Sequence, residues 1–142
     1  MFDIREEKFE VDELKRQLAA PESGGFVCFE GWVRDHHQGR AVKGLRYTDY
    51  RELALKEGRW IIDEAHERWP DVKVCCVHRV GMLEIGDLAV WVGASSAHRN
   101  EAFEVCRFLI DEVKSRVPIW KEEFYADGTS EWIGCSGCSS GK

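Results

Sequence analysis

The side chains most able to do chemistry lie between residues 95 and 124, in the strings SSAHRNEAF and VKSRVPIWKEEF. They include His98, Arg99, Lys114 and Lys121. Cationic side chains bind anions, and a partly desolvated lysine can also act as a nucleophile or carry a proton. This pattern predicts an anion-handling site with amine chemistry.

A buried strand followed directly by a helix must position these residues. The string LAVWVGASS is apolar and β-branched, and apolar residues then recur at helical spacing through Ala102, Phe103, Cys106, Leu109, Ile110 and Val113. We expect Ser95 or Ser96 to cap this helix, whose free amides would face an anion. His98 and Arg99 in the first turn are disfavoured by the helix dipole, which favours a ligand-binding role. Ordinary solvated residues on a capped helix remain the alternative.

Lys114 lies eleven residues after Phe103, which at 3.6 residues per turn gives nearly the same direction. The pattern therefore predicts Lys114 at the edge of the buried stripe, either with its ammonium in solvent or partly buried and reactive. Lys121 follows Pro118 in IWKEEFYA, a predicted strand returning along the helix. We expect the two lysines to converge.

Four strings occur in order along the chain: VRDHHQGR, HRVGMLEIGD, SSAHRNEAF and PIWKEEF. Together they resemble the large, catalytic subunit of molybdopterin synthase, over residues 25–132. The resemblance implies an α+β protein with an α/β hammerhead-type fold. It also implies an enzyme that converts cyclic pyranopterin monophosphate to molybdopterin by installing two sulfurs as a dithiolene.

The resemblance further implies a small ubiquitin-like partner that carries each sulfur as a thiocarboxylate on its C-terminal Gly-Gly tail. A homodimer within a heterotetramer is expected. Lys114 and Lys121 match the two important lysines of the family and are the expected catalytic residues. Arg34, His98 and Arg99 are the expected substrate-binding residues. The chain departs from the family at Glu122, where a basic residue is usual, although on a strand Glu122 should point away from Lys121.

A non-catalytic module that docks a ubiquitin-like sulfur-carrier tail is the alternative function. Tail recognition alone would not require two amines beside a phosphate-type site. The presence of both Lys114 and Lys121 therefore favours the enzyme.

Composition indicates a single domain. With 142 residues and 44% hydrophobic content, the chain can bury one sizeable core. A net charge of -6 argues against a nucleic-acid partner. The charged start and the lack of a long apolar run predict a cytoplasmic protein with no membrane partner. We expect no cofactor.

The six cysteines fall into two groups. Four lie in apolar strand or helix patterns and are predicted to be buried as reduced thiols: Cys28, Cys75, Cys76 and Cys106. Cys135 and Cys138 form a CxxC pair in a Gly/Ser-rich tail, predicted to be flexible, over residues 133–142. One pair supplies half of a zinc site, so we expect no metal, although a redox pair remains possible. The predicted domain is residues 1–132.

Periodicity along the rest of the chain predicts a short helix at VDELKRQLA and a long one at RELALKEGRWIIDEAHERW. Strands are predicted at GGFVCFEGWV, VKGLRYTDY and DVKVCCVHRVG, with MLEIGD as a turn. Asp127 and Gly128 predict a hairpin. Two main helices and a largely antiparallel sheet therefore fit an α+β class.

Overall fold

The computed structural model of the protein describes residues 1–134. Three helices are present in this part of the chain: α1 (Val11–Leu18), α2 (Arg51–Arg68) and α3 (Arg99–Arg116). The strands are β1 (Phe2–Arg5), β2 (Gly25–Trp32), β3 (His36–His37), β4 (Arg40–Asp49), β5 (Lys73–Arg79), β6 (Gly81–Glu84), β7 (Leu88–Ser96), β8 (Ile119–Tyr125) and β9 (Ser130–Ile133).

The first sheet has the strand order β1-β5-β7-β2 and is covered by helices on both faces. β1 runs parallel to β5, and the other pairs are antiparallel. Successive residues of a strand point to opposite faces. Cys76 accordingly packs in the main core with α2 and α3, whereas its neighbour Cys75 packs with Leu14 and Leu18 of α1.

The second sheet is antiparallel, with the order β3-β4-β8-β9, and β6 also pairs with β4. The predicted hairpin at Asp127 and Gly128 is confirmed as the turn between β8 and β9, where Gly128 has a φ of 91°. A tight turn joins β3 to β4, with φ of 50° at Gln38 and 80° at Gly39. Positive φ at both central residues suits the twist of a hairpin.

Three strands were not expected from the sequence: β1, β3 and β6. β1 is short and gains its stability by pairing with β5, which the chain reaches about seventy residues later. The string MLEIGD was predicted to be a turn, but its first residues belong to β6, which pairs with β4. The turn follows at Ile85 and Gly86.

The predictions for Cys28 and for the cap of α3 are wrong. Cys28 is exposed, because β2 is the edge strand of the first sheet. Ser95 and Ser96 do not cap α3, because both are buried at the end of β7. The Ser95 hydroxyl donates to the Leu18 carbonyl at 2.6 Å, and the Ser96 hydroxyl donates to the His98 carbonyl.

The predicted fold class is confirmed: the chain is α+β, with two long helices and mostly antiparallel sheets. No helix within residues 1–134 is long and apolar enough to cross a membrane. The division of the chain at residue 132 stays a prediction. The Cys135 and Cys138 pair lies outside the described residues.

Candidate active site

A cavity of about 680 Å³ opens where the first sheet, the end of α3 and the second sheet meet. This volume is typical of a pocket for a small organic ligand. We call it the central cavity, and its wall includes Phe29, Trp32, Arg34, Tyr47, His78, Val90, Ile110, Val113, Lys114, Val117, Trp120, Lys121 and Ile133. Three of the predicted site residues, Arg34, Lys114 and Lys121, therefore share one cavity.

The last turn of α3 places Lys114 on the cavity wall. Ile110 and Val113 belong to the buried face of the helix, and Lys114 follows at the edge of that face with an exposed side chain. The predicted position of Lys114 is thus confirmed. Phe103, which helical spacing places in nearly the same direction as Lys114, is 60% exposed and does not belong to the buried stripe.

Strand β8 presents Lys121 to the cavity through its twofold side-chain alternation. Lys121 lies opposite Tyr47 of β4 and shares its face with Glu123, two residues on. The Lys121 ammonium lies 3.2 Å from Glu123 Oε2. Glu122 lies on the other face and accepts a hydrogen bond from the Ser130 hydroxyl at 2.9 Å, as expected from the strand geometry.

Glu123 is a buried carboxylate at the centre of a polar cluster. Its Oε1 lies 2.6 Å from His37 Nδ1 and accepts a hydrogen bond from the Tyr125 hydroxyl at 3.1 Å. Burial alone would raise the pKa of Glu123, but the hydrogen bond from His37 and the charge of Lys121 outweigh burial and lower it. Glu123 is therefore ionised at neutral pH and forms an ion pair with Lys121.

His78 of β5 is a second buried polar group on the cavity wall. Its Nδ1 lies 2.7 Å from the Arg79 carbonyl, and its ring meets the Tyr47 ring edge-on with centroids 4.9 Å apart. Burial, and then the positive charge of Lys114, lower the pKa of His78 to about 4. Burial and the charge of Glu123 raise the pKa of Tyr47 to about 12. Both side chains are therefore neutral at neutral pH.

Arg34 follows β2 in an exposed position at the cavity mouth. The neighbouring histidines have separate partners, since His36 Nδ1 lies 2.9 Å from Asp35 whereas His37 bonds Glu123. Within residues 1–134, no group of three or more His, Cys, Asp or Glu side chains is placed to hold a metal ion.

His98 and Arg99 lie outside the central cavity. They line a separate, open depression beside Gly24 and Phe103 at the start of α3. Lys114 follows Arg99 by fifteen residues in the same helix, so the two are separated by about 22 Å along the axis. Within one chain, the five predicted site residues therefore do not form a single site.

Comparison with known proteins identifies the family. The model of the MoaE protein family matches residues 4–116. The chain belongs to the MoaE family. A molybdopterin synthase catalytic subunit from Pyrococcus abyssi is 43% identical over 127 residues, which cover 89% of this chain and 85% of that protein. Molybdopterin synthase catalytic subunit 1 from Mycobacterium tuberculosis is 41% identical, with coverage of 92% and 88%.

Solved structures agree with the MoaE assignment. The crystal structure of molybdopterin synthase from Staphylococcus aureus superposes with a TM-score of 0.88 and is 35% identical, covering 94% of this chain and 96% of that one. A MoaE protein from Burkholderia ambifaria gives a TM-score of 0.82 at 33% identity, covering 95% and 89%. The family and function predicted from the four motifs, the catalytic subunit of an enzyme that makes molybdopterin, are confirmed.

Three groups in and beside the MoaE cavity escaped the sequence analysis as site residues. Glu123 could have been found, because residues two apart on a strand share a face with each other. His37 could not be found from local sequence, because its bond to Glu123 joins residues 86 positions apart. His78 could not be found either, because no local pattern reveals that β5 ends at the cavity.

Proposed function

We propose that this MoaE chain is a sulfurtransferase that converts cyclic pyranopterin monophosphate to molybdopterin. Each sulfur comes from the C-terminal thiocarboxylate of a small ubiquitin-like partner. One thiocarboxylate carries one sulfur and leaves a carboxylate on the terminal glycine, so each product requires two charged partners. The observation that carries this proposal is the meeting of Arg34, Lys114 and Lys121 in one cavity.

The two lysines have different surroundings, which supports different roles. Lys121 is paired with the buried Glu123 and is a fixed cation that stabilises negative charge developing on the substrate. Lys114 has no carboxylate within 4 Å among the described residues. It contacts the thiocarboxylate end of the partner and assists the attack of sulfur on the pterin side chain.

The cyclic phosphate requires cationic contacts of its own. Arg34 at the cavity mouth has the planar donor arrangement that suits a phosphate. In this proposal His98 and Arg99 also hold the phosphate or the pterin. Because Arg99 lies about 22 Å from Lys114 along α3, His98 and Arg99 cannot reach the Lys114 site of their own chain. They must reach the site from the second copy in the expected homodimer, so that each complete site uses both copies.

The proposed assembly is a homodimer with one small partner at each outer end. Residues 1–132 form the catalytic domain of each copy. The reaction takes place in the cytoplasm, in keeping with the free thiols of Cys28, Cys75, Cys76 and Cys106.

The test combines the purified chain with the thiocarboxylated small partner and cyclic pyranopterin monophosphate, and measures dithiolene product. Lys114→Ala should lower the rate by at least about a hundredfold, the range of a lost proton-transfer group. Lys73→Ala is the matched control, because Lys73 is exposed at the start of β5 and does not line the central cavity. It should leave the rate unchanged.

Two results would contradict the proposal. If the wild-type chain bound the partner tail but made no product, it would be a docking module rather than an enzyme. If Lys114→Ala were as active as Lys73→Ala, the catalytic role would not belong to Lys114.

A further inference from the structure

The hydrogen-bonding state of His78 follows from its neighbour. The carbonyl oxygen of Arg79, 2.7 Å from Nδ1, can only accept a hydrogen bond. His78 must therefore donate through Nδ1–H. In the neutral ring the other nitrogen, Nε2, then carries the free lone pair and is an acceptor.

The surroundings fix both the charge and the orientation of this ring. His78 is 9% exposed and contributes to the wall of the central cavity, as Lys114 does. Burial and the nearby charge of Lys114 lower the pKa of His78 to about 4, so the ring is neutral in the physiological range. The edge-on contact with Tyr47 restricts its rotation.

Lys114 and Lys121 therefore face acceptors of different kinds. Lys121 is ion-paired with the carboxylate of Glu123 at 3.2 Å. Lys114 has no such partner within 4 Å in the described part of the chain, and the neutral ring of His78 lines the same cavity close enough for the charge of Lys114 to lower its pKa. A neutral acceptor can orient an amine while leaving it free to give up a proton.

We propose that His78 is a positioning residue for Lys114, whose ammonium donates a hydrogen bond to His78 Nε2 and is thereby aimed at the reacting end of the sulfur donor. This inference rests on the proposed function, because it assigns Lys114 its acceptor in the same site. His78 itself contacts neither the sulfur nor the pterin. The division of labour between a fixed cation, Lys121, and an exchanging amine, Lys114, follows from it.

Two amide substitutions distinguish the roles of the two ring nitrogens of His78. Asparagine places an amide N–H near the position of Nδ1, so His78→Asn keeps the bond to the Arg79 carbonyl and removes the acceptor at the far side. Glutamine reaches the position of Nε2, so His78→Gln keeps an acceptor for Lys114 and loses the bond to the carbonyl. The two variants are matched in polarity and charge.

The assay is product formation with the thiocarboxylated partner and cyclic pyranopterin monophosphate. His78→Asn should lower kcat by roughly tenfold or more with KM for the pterin within about twofold, since a bond to a charged group is lost without loss of substrate contacts. His78→Gln should keep kcat within about threefold of the wild type, although its melting temperature should fall further than that of His78→Asn. The proposal would be overturned if both variants lost kcat equally, or if the losses of kcat followed the order of their melting temperatures.

A second measurement needs no turnover. Nitrogen-15 NMR of the histidine rings in the wild-type chain should find His78 with a protonated Nδ1 and an unprotonated Nε2, and Lys114→Met should shift the Nε2 resonance. A proton on Nε2, or a resonance indifferent to Lys114→Met, would overturn the positioning role. An inactive wild-type enzyme with the expected NMR signature would instead count against the proposed function alone, so the two failures are distinguishable.

Discussion

Replacing Glu123 by glutamine removes the charge of the buried carboxylate with little change of shape. In the wild type this group bonds His37 at 2.6 Å, Tyr125 at 3.1 Å and Lys121 at 3.2 Å. The glutamine amide has one oxygen left to accept, and its N–H groups face donors. Lys121 consequently loses the partner that holds it in the cavity.

The loss of stability can be estimated from these contacts. Bonds to a charged group contribute about 1.5 to 3 kcal/mol each, but removing the carboxylate also removes its desolvation cost, which leaves a net loss of about 2 kcal/mol. For a chain of this length that corresponds to a drop of about 6 °C in melting temperature. Glu122→Gln is the matched control, because Glu122 lies on the opposite face of β8 and bonds only Ser130 in the described structure.

The effect has a defined pH dependence. The folded state lowers the pKa of Glu123 from its ordinary value of 4.5, so the carboxylate stabilises the protein above that value. This contribution is lost as pH falls through the lowered folded-state pKa. The difference in melting temperature between wild type and Glu123→Gln should therefore be largest near neutral pH, should shrink as pH falls below the ordinary value of 4.5, and should close as pH falls through the lowered folded-state pKa.

Thermal unfolding across pH and the dithiolene assay test the same substitution. Glu123→Gln should lower kcat by roughly tenfold. Adding it to Lys121→Met should cause little further loss, because both changes break the same Lys121–Glu123 ion pair. Two findings would refute this reasoning: a melting temperature equal to that of Glu122→Gln, or a stability difference that persists unchanged at acid pH.

Two further predictions concern packing and assembly. Gly58→Ala should destabilise the protein by about 1 to 3 kcal/mol in thermal unfolding, because the new Cβ in α2 would overlap the Phe2 ring. This overlap should outweigh the better helix propensity of alanine. An unchanged melting temperature would contradict the prediction. Isolated mixed dimers of a Lys114→Ala copy and an Arg99→Ala copy should regain about half of the wild-type rate, because in the proposed dimer one of the two shared sites would be intact. No recovery would place both residues in one chain's site.

The sequence by itself specified the order and type of most elements. The twofold alternation of β8 and the 3.6-residue spacing of α3 are local patterns, and both predicted the correct element. The same local patterns placed Lys114 at the edge of a buried face and Glu122 away from Lys121. Four short motifs in order were enough to identify the family.

Local patterns did not predict the elements that are stabilised mainly by partners distant in sequence. β1 is four residues long and is defined by its pairing with β5, and β6 by its pairing with β4. Cys28 has the strand pattern of a core residue, yet its exposure depends on β2 being at the sheet edge. Strand order is a property of the whole chain, which no window of local sequence contains.

The composition of the site was decided by the tertiary structure. Packing brought His78 and Tyr47 to the cavity of the two lysines, and it joined His37 to Glu123 across 86 positions of sequence. The separation of Arg99 from Lys114, by contrast, follows from the length of α3 alone, because the two residues lie fifteen positions apart in one helix. Periodicity records which face a residue occupies, because neighbours along the chain set it. Which faces meet is set by the packing of the whole core.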